Sequence, residues 1–364
     1  MRVTMLLQRL ALGLCAASAL GFAAHAQDAD LSIMTGPPTG TYHQVGQDLN
    51  GLMQQCGRDL EVVESKGSLE NLLAIRQRRN TQFGIVQSDV LEYMQTFAGN
   101  DRDVARAIAG VRVAFPLYDE EVHVLARRDI AAFDDLGGKR VAIGTENSGT
   151  YLTASLMLSL AGIEPAEVRP ISPDDALPLL EAGEIDAFFH VAGAPAELYA
   201  EGAIDGDAFH LLPIRNQTLR AAYTPATLAG GTYPFQPEPV EVVAVKAVLM
   251  TYEFDARGNL YQQGACRGVS DLSSLILSNL GTLRSEGHPK WQSVDFTDVP
   301  PGWEIAACVN RGIDPGYQSS CAAATPEAGP APEAAAQPEA EAEVLSGSPA
   351  TDAFRRSICA RIGC

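Results

Sequence analysis

The chain has 364 residues, with 26 Lys and Arg against 45 Asp and Glu, and a formal net charge of -19. So acidic a balance argues against nucleic acid or an anionic membrane surface as partner, since both carry charge of the same sign. It does not argue against an anionic ligand, because local donors and helix ends decide that contact.

The first 26 residues have the three parts of a secretory signal peptide. Arg2 and Arg9 are positive, an apolar stretch runs from Leu10 to Ala24, and Ala24-His25-Ala26 gives an A-x-A cleavage pattern before Gln27. The stretch is too short and weakly flanked for a stop-transfer helix. A lipid anchor at Cys15 is disfavoured because Leu14 stands where a small residue is needed. The expected location is therefore the periplasm, with cleavage after Ala26. That cleavage removes two Arg and no acid, taking the net charge from -19 to -21. No later segment approaches the ~20 apolar residues of a transmembrane helix, so an integral membrane protein is not expected.

The body alternates short apolar runs with amphipathic ones. Leu31-Ser32-Ile33-Met34 reads as a strand, and 41–55 as a helix with Val45, Leu49, Leu52 and Met53 on one face. A strand at 60–63, a helix at 68–78 and a strand at 83–86 follow. The pattern then repeats: strands at 122–125 and 140–143, helices at 150–161 and 174–181, a strand at 186–189. A long apolar strand at 241–250 and a helix around 271–284 complete it. Such alternation predicts doubly wound, mostly parallel α/β sheets. Two such halves with a returning segment predict two lobes with a ligand cleft between them, at the carboxyl ends of the strands. The expected division is 27–125 for the first part of lobe 1, 126–236 for lobe 2 and 237–321 for the return to lobe 1. Beyond it, Ala, Pro and Glu dominate 322–349, which reads as a linker unable to bury enough apolar surface to order itself. A short cap, 350–364, carries Cys359 and Cys364.

Without Cys15, six cysteines remain: Cys56, Cys266, Cys308, Cys321, Cys359 and Cys364. An even number in an exported chain points to disulfides, and six permit 15 pairings. Local pairing of Cys308 with Cys321 and Cys359 with Cys364, leaving Cys56 with Cys266, is the expectation. The chain lacks C-x-x-C and its six His are scattered, so no metal site is expected, and nothing in the sequence asks for a cofactor.

Four strand-to-helix junctions stand out. They are Thr35-Gly36-Pro37-Pro38-Thr39-Gly40-Thr41-Tyr42, Lys66-Gly67-Ser68-Leu69-Glu70-Asn71, Gln87-Ser88-Asp89, and Gly144-Thr145-Glu146-Asn147-Ser148-Gly149-Thr150-Tyr151. Each sets a small hydroxyl residue, three of them with Gly, at a helix start. Gly admits a ligand to the backbone, and the free N–H groups of the first turn favour an anionic oxygen. Ordinary capping is the favoured reading of any one junction; four in the same topological place favour a site. None is a P-loop, because no G-K-[ST] follows the glycines.

The ordered set of these motifs, with Glu184-Ile185-Asp186-Ala187-Phe188-Phe189, Gly193-Ala194-Pro195 and Gly231-Thr232-Tyr233-Pro234, resembles the TAXI family of TRAP-transporter solute receptors over residues 31–250. The resemblance implies a type II periplasmic binding protein fold and partnership with TRAP membrane subunits. It also implies a small carboxylate or amino acid as ligand. The residues it assigns to ligand binding are Gly40, Thr41, Tyr42, Ser68, Asn71, Gln87, Ser88, Asp89, Ser148, Gly149 and Thr150. Tyr233 joins them as a further pocket candidate. Pro37-Pro38 depart from the family's usual Gly-Gly and remove two N–H donors, and His43 stands where Tyr is common.

Other residues carry two readings each. His190 ends a strand as a ligand contact or a structural His, and Asp89 binds an amino group or caps a helix. The run Asp119-Glu120-Glu121 reads as a solvated loop near the hinge. Competing classes are a receptor for an ATP-driven importer or for envelope signalling, and an exported hydrolase using Ser88 or Ser148. No G-x-S-x-G elbow or nearby His supports the hydrolase. The sequence reading is a binding receptor, not an enzyme.

Overall fold

A computed structural model describes residues 31–38, 40–98, 102–201, 204–320, 356 and 358–359. The signal peptide, the Ala/Pro/Glu linker, most of the cap and Thr39 of the first junction lie outside the described residues.

The elements run β1 (Leu31–Met34), α1 (Thr41–Gln54), β2 (Leu60–Val63), α2 (Ser68–Gln77), β3 (Thr81–Gln87), α3 (Val90–Ala98), α4 (Arg102–Ile108) and β4 (Val111–Arg127). The chain continues through β5 (Arg140–Ala142), α5 (Gly149–Ala161), β6 (Glu167–Arg169), α6 (Pro173–Glu181), β7 (Ala187–Ala192), α7 (Glu197–Ala200), β8 (Phe209–Leu211), α8 (Gln217–Ala222) and β9 (Thr224–Leu228). Last come β10 (Val240–Tyr252), α9 (Leu260–Ser278), α10 (Leu280–Glu286) and α11 (Ala307–Gly312).

Local chemistry accounts for these boundaries. In α1 the buried Val45, Leu49, Leu52 and Met53 form one stripe. Every residue of β3 is buried, as expected of a strand covered on both faces. Helix α5 begins on Ser148, whose side chain accepts from the Tyr151 amide, and stops at Gly162 in the left-handed region.

One sheet orders its main path β2-β1-β3-β10-β4-β7-β5-β6, with β8 on β4 and β9 on β10. Strand β1 is parallel to β2 and β3, and β10 lies antiparallel beside β3. Strand β5 is likewise parallel to β6 and β7, and β4 lies antiparallel beside β7. The same plan is thus built twice, from opposite ends of the sheet.

Two hydrophobic cores result. One takes residues up to Tyr118 and again from Ala247 onward, together with Leu152 of α5; the other takes Val122 to Val245. The cores exchange partway along β4 and β10, where Asp119, Glu120 and Glu121 pair in register with Lys246, Val245 and Ala244. Each core with its half of the sheet is a lobe, and β4 and β10 are the two crossing strands. This is the type II periplasmic binding protein architecture expected from the sequence.

Three expectations change. The acidic run is not a solvated loop: it lies inside β4, and Glu120 is 4% exposed. It tolerates this because Lys246 pairs with Asp119, Lys290 pairs with Glu121, and Glu120 receives neutral donors. The C-terminal helix starts earlier than expected, at Leu260, and Asn279 separates it from α10. The disulfide joins Cys266 to Cys308, which corrects both the Cys308–Cys321 and the Cys56–Cys266 pairings. Helices α9 and α11 pack side by side, bringing the two Cα atoms to 5.3 Å, and Ser270 of α9 bonds the Cys308 carbonyl. Cys56 and Cys359 are each disulfide-bonded as well.

Candidate functional site

The twofold plan places α1 after β1 and α5 after β5, so the two helices open from equivalent strand ends. At the seam between the lobes the start of α2 abuts the start of α5. Gly67 has φ +124°, and a Cβ there would lie 3.1 Å from the Gly149 nitrogen and 3.2 Å from the Ser148 Cα. Only glycine suits both the backbone angle and this approach. On the same seam Leu152 of α5 is buried in the first lobe's core.

Gln87, at the end of β3, is the hub of the seam. Its backbone N–H donates to Ser68 Oγ at 3.1 Å, and its Nε2 donates to Glu120 Oε2 at 3.0 Å. Its Oε1 lies 3.2 Å from Thr153 Oγ1 on α5. Residue 149 is glycine for the same reason: a Cβ would meet Gln87 Oε1 at 2.4 Å. Glu120 Oε2 also accepts from the Tyr42 hydroxyl at 2.9 Å.

Asp89 reaches across the seam. Its Oδ2 accepts from Thr153 Oγ1 at 2.8 Å and from the Tyr223 hydroxyl at 3.0 Å, both on the second lobe. The single Thr153 hydroxyl proton serves Gln87 or Asp89, not both, and the shorter contact is to Asp89. The other oxygen, Oδ1, is buried with no hydrogen-bond partner. Burial drives the Asp89 carboxyl up to about 6, against the hydroxyl bonds from Thr153 and Tyr223 that hold it down. Burial likewise pushes Glu120 up to about 7, opposed by Gln87, Tyr42 and Lys290. The site thus pairs helix starts, which favour a negative group, with two buried carboxyls, which favour a donor or a cation.

The twelve residues singled out by sequence divide on inspection. Tyr42, Ser68, Gln87, Asp89, Ser148 and Gly149 meet at the seam. Gly40 and Thr41 open α1 on the lobe-1 side. Asn71 is fully buried and spent on scaffold: its Nδ2 donates to the Thr35 and Ile85 carbonyls at 2.5 and 2.7 Å, and its Oδ1 accepts from Ser65. Thr150 Oγ1 accepts from the Val191 amide and so ties α5 to β7. Ser88 anchors through its backbone, the N–H to Lys246 and the carbonyl to Trp303 Nε1.

The structure does not bring Tyr233 to the seam. It lies in the second core, its hydroxyl on His123 Nε2 at 2.7 Å and on the Ala196 amide at 3.0 Å. His190 sits beside it, its ring 6.2 Å from that of His123 and 5.5 Å from Tyr199. Burial lowers His123 to about 3 and His190 to about 4, so both are neutral near pH 7.

Sequence reasoning missed Glu120, Thr153 and Tyr223. Thr153 carried a signal, since it lies one helical turn beyond Gly149. Tyr223 carried none, because only the fold brings the end of α8 to the seam.

Among the described residues no cluster of His, Cys, Asp or Glu is placed to hold a metal, and no helix is long and apolar enough to cross a membrane. Neither Ser88 nor Ser148 is hydrogen-bonded to a histidine there. A separate cavity of about 290 Å³, lined by Arg128, Pro213, Phe235 and Pro237 among others, lies on the second lobe and contains none of the seam residues.

Two lobes on one plan, two crossing strands and a polar seam at the helix starts define a two-lobed binding protein. A family model described as the NMT1-like family matches residues 33–262, and the chain belongs to that family, which is of periplasmic binding protein type. Among solved structures it is similar to the GluR0 ligand-binding core from Nostoc punctiforme in complex with L-glutamate. Identity there is 19%, over 70% of this chain and 96% of that one, with a TM-score of 0.40. It is also similar to the periplasmic binding protein BugD, at 9% identity over 72% and 84% of the two chains, TM-score 0.42. A TctC solute binding protein from Polaromonas matches at 14% identity over 67% and 86%, TM-score 0.38.

Proposed function

We propose that this protein is a periplasmic solute receptor of the TAXI type. In this reading it captures a small carboxylate or amino acid between its lobes and delivers it to TRAP membrane subunits. The observation that carries the reading is the seam itself. The starts of α2 and α5 meet at Gly67 and Gly149, beside a hub built on Gln87 and Asp89. First-turn N–H groups from both lobes would receive a ligand carboxylate. The Gly144-Thr145-Glu146-Asn147 loop, which leads into α5, and the Pro37-Pro38 loop, which leads into α1, would set selectivity.

The test is a thermal-shift and calorimetric screen of mono- and dicarboxylates and α-amino acids against purified mature protein. A ligand that binds only the native state raises the melting temperature by mass action. A saturable hit that is weakened by Gln87→Ala supports the reading. No response across the panel would refute it. Co-purification of the hit-loaded protein with TRAP membrane subunits then tests the transporter assignment.

A further inference from the structure

We propose that Asp89 is a proton-linked latch between the lobes: closing buries its carboxyl against Thr153 and Tyr223, takes up a proton from solvent, and so makes closure stronger in mild acid. This rests on the reading of a receptor whose lobes close on a ligand.

The geometry singles out Asp89 among the carboxyls of the seam. It belongs to the first lobe, immediately after β3, yet both groups bonded to its Oδ2 come from the second lobe, Thr153 on α5 and Tyr223 after α8. Separating the lobes removes both donors and returns the carboxyl to water. Glu120 differs, because its donors Tyr42 and Gln87 both come from the first lobe. Its burial therefore does not depend in the same way on the second. The titratable groups that face the latch are Tyr223 from the second lobe and Glu92 from α3, with Glu120 one side chain away through Gln87. Among the groups that act on Asp89 there is no Lys or Arg to hold a charge in place. Its second oxygen, Oδ1, is buried with no donor from another residue, and besides Thr153 and Tyr223 only its own backbone N–H favours the charge, so the closed seam stabilises a carboxylate poorly and a carboxyl better.

The sign follows from linkage. A carboxyl whose value is raised in the closed form, here from 3.8 to about 6, binds more protons closed than open. Closure is therefore favoured as pH falls through about 6, and that advantage is complete below about 4. With these two values the closing equilibrium gains about tenfold between pH 7 and pH 5.

The experiment is interlobe energy transfer on the mature chain, with one dye on each lobe at introduced non-natural residues so that the disulfides stay intact. It is read from pH 4.5 to 8, with and without a panel of carboxylates and α-amino acids. In wild type the closed fraction should rise with a midpoint near pH 6. Asp89→Asn should hold the acid-side value at every pH. Tyr223→Phe removes a donor that favours the charged form and should move the midpoint upward, which loss of packing alone would not do. A flat wild-type profile, or an Asp89→Asn profile equal to wild type, overturns the latch. Where the distance responds to the panel but not to pH, the latch alone fails. Where it responds to neither, the closing-receptor reading itself fails, and the latch with it.

Discussion

Replacing Gly149 by alanine isolates the hub at the seam. The new Cβ would lie 2.4 Å from Gln87 Oε1 and 2.7 Å from its Cδ, a separation no real pair adopts. The atoms in the way are the end of a flexible side chain, so Gln87 can swing aside. The cost is then what Gln87 was holding. Its Nε2 leaves Glu120, a buried carboxyl; the Thr153 hydroxyl keeps its shorter bond to Asp89. A hydrogen bond to a charged group contributes about 1.5–3 kcal/mol, so the loss is about 1.5–3 kcal/mol. Helix propensity works the other way, since Ala is favoured over Gly by up to about 1 kcal/mol. A net destabilisation of about 1–2 kcal/mol is expected in urea denaturation. The decisive measurement is the double-mutant cycle with Gln87→Ala. If Gly149 acts through Gln87, Gly149→Ala should be neutral or slightly stabilising once the amide is gone. Equal cost in both backgrounds would refute the reasoning and place the strain in the backbone.

Further predictions concern scaffold and pH. Asn71→Ala should cost about 1–3 kcal/mol by removing the side-chain donor to the Ile85 carbonyl and leaving the Thr35 carbonyl to Ser65. It should leave ligand affinity of the folded fraction unchanged, as calorimetry at low temperature would show. Replacing both Cys266 and Cys308 by Ala should cost about 4 kcal/mol, the loop-closure entropy of a link across 42 residues. Non-reducing peptide mapping should join the Cys266 peptide to that of Cys308. His123, lowered from 6.5 to about 3, binds a proton unfolded but not folded over that window. Its effect is to lower stability progressively as pH falls from about 6.5 to about 3, by on the order of 5 kcal/mol in all. His123→Gln should flatten that part of a denaturation-midpoint profile.

Much of this molecule can be read from its sequence because its helices and strands carry their own periodicity and caps. The stripe of α1, Ser148 before α5 and the apolar runs of β1 and β3 are all local signals. The acidic run was illegible for the opposite reason. Three consecutive carboxyls read as solvent-facing unless one knows that Lys246, Lys290, Tyr42 and Gln87 are brought to them by chain segments far away. Asn71 and Thr150 show the same limit from the other side. Residue type marks them as helix-start polar groups, but only the fold shows that their side chains are already used in holding strands together. Tyr223 reaches Asp89 across 134 positions, and no pattern within α8 hints at it.

The interrupted path of the chain has a consequence for the order of assembly. The second core is drawn from one continuous stretch, Val122 to Val245, whereas the first needs segments before and after it. The contiguous lobe can collapse as soon as its own residues are available. The other must keep β1, β2 and β3 waiting until β10 and α9 arrive, because β10 supplies the neighbour of β3 and Leu272 and Ile276 of α9 fill the core. Those early strands present an open edge and uncovered apolar faces in the interval. The late contacts, with the Cys266–Cys308 link that fastens α9 to α11, are therefore the steps that commit the chain to its native form.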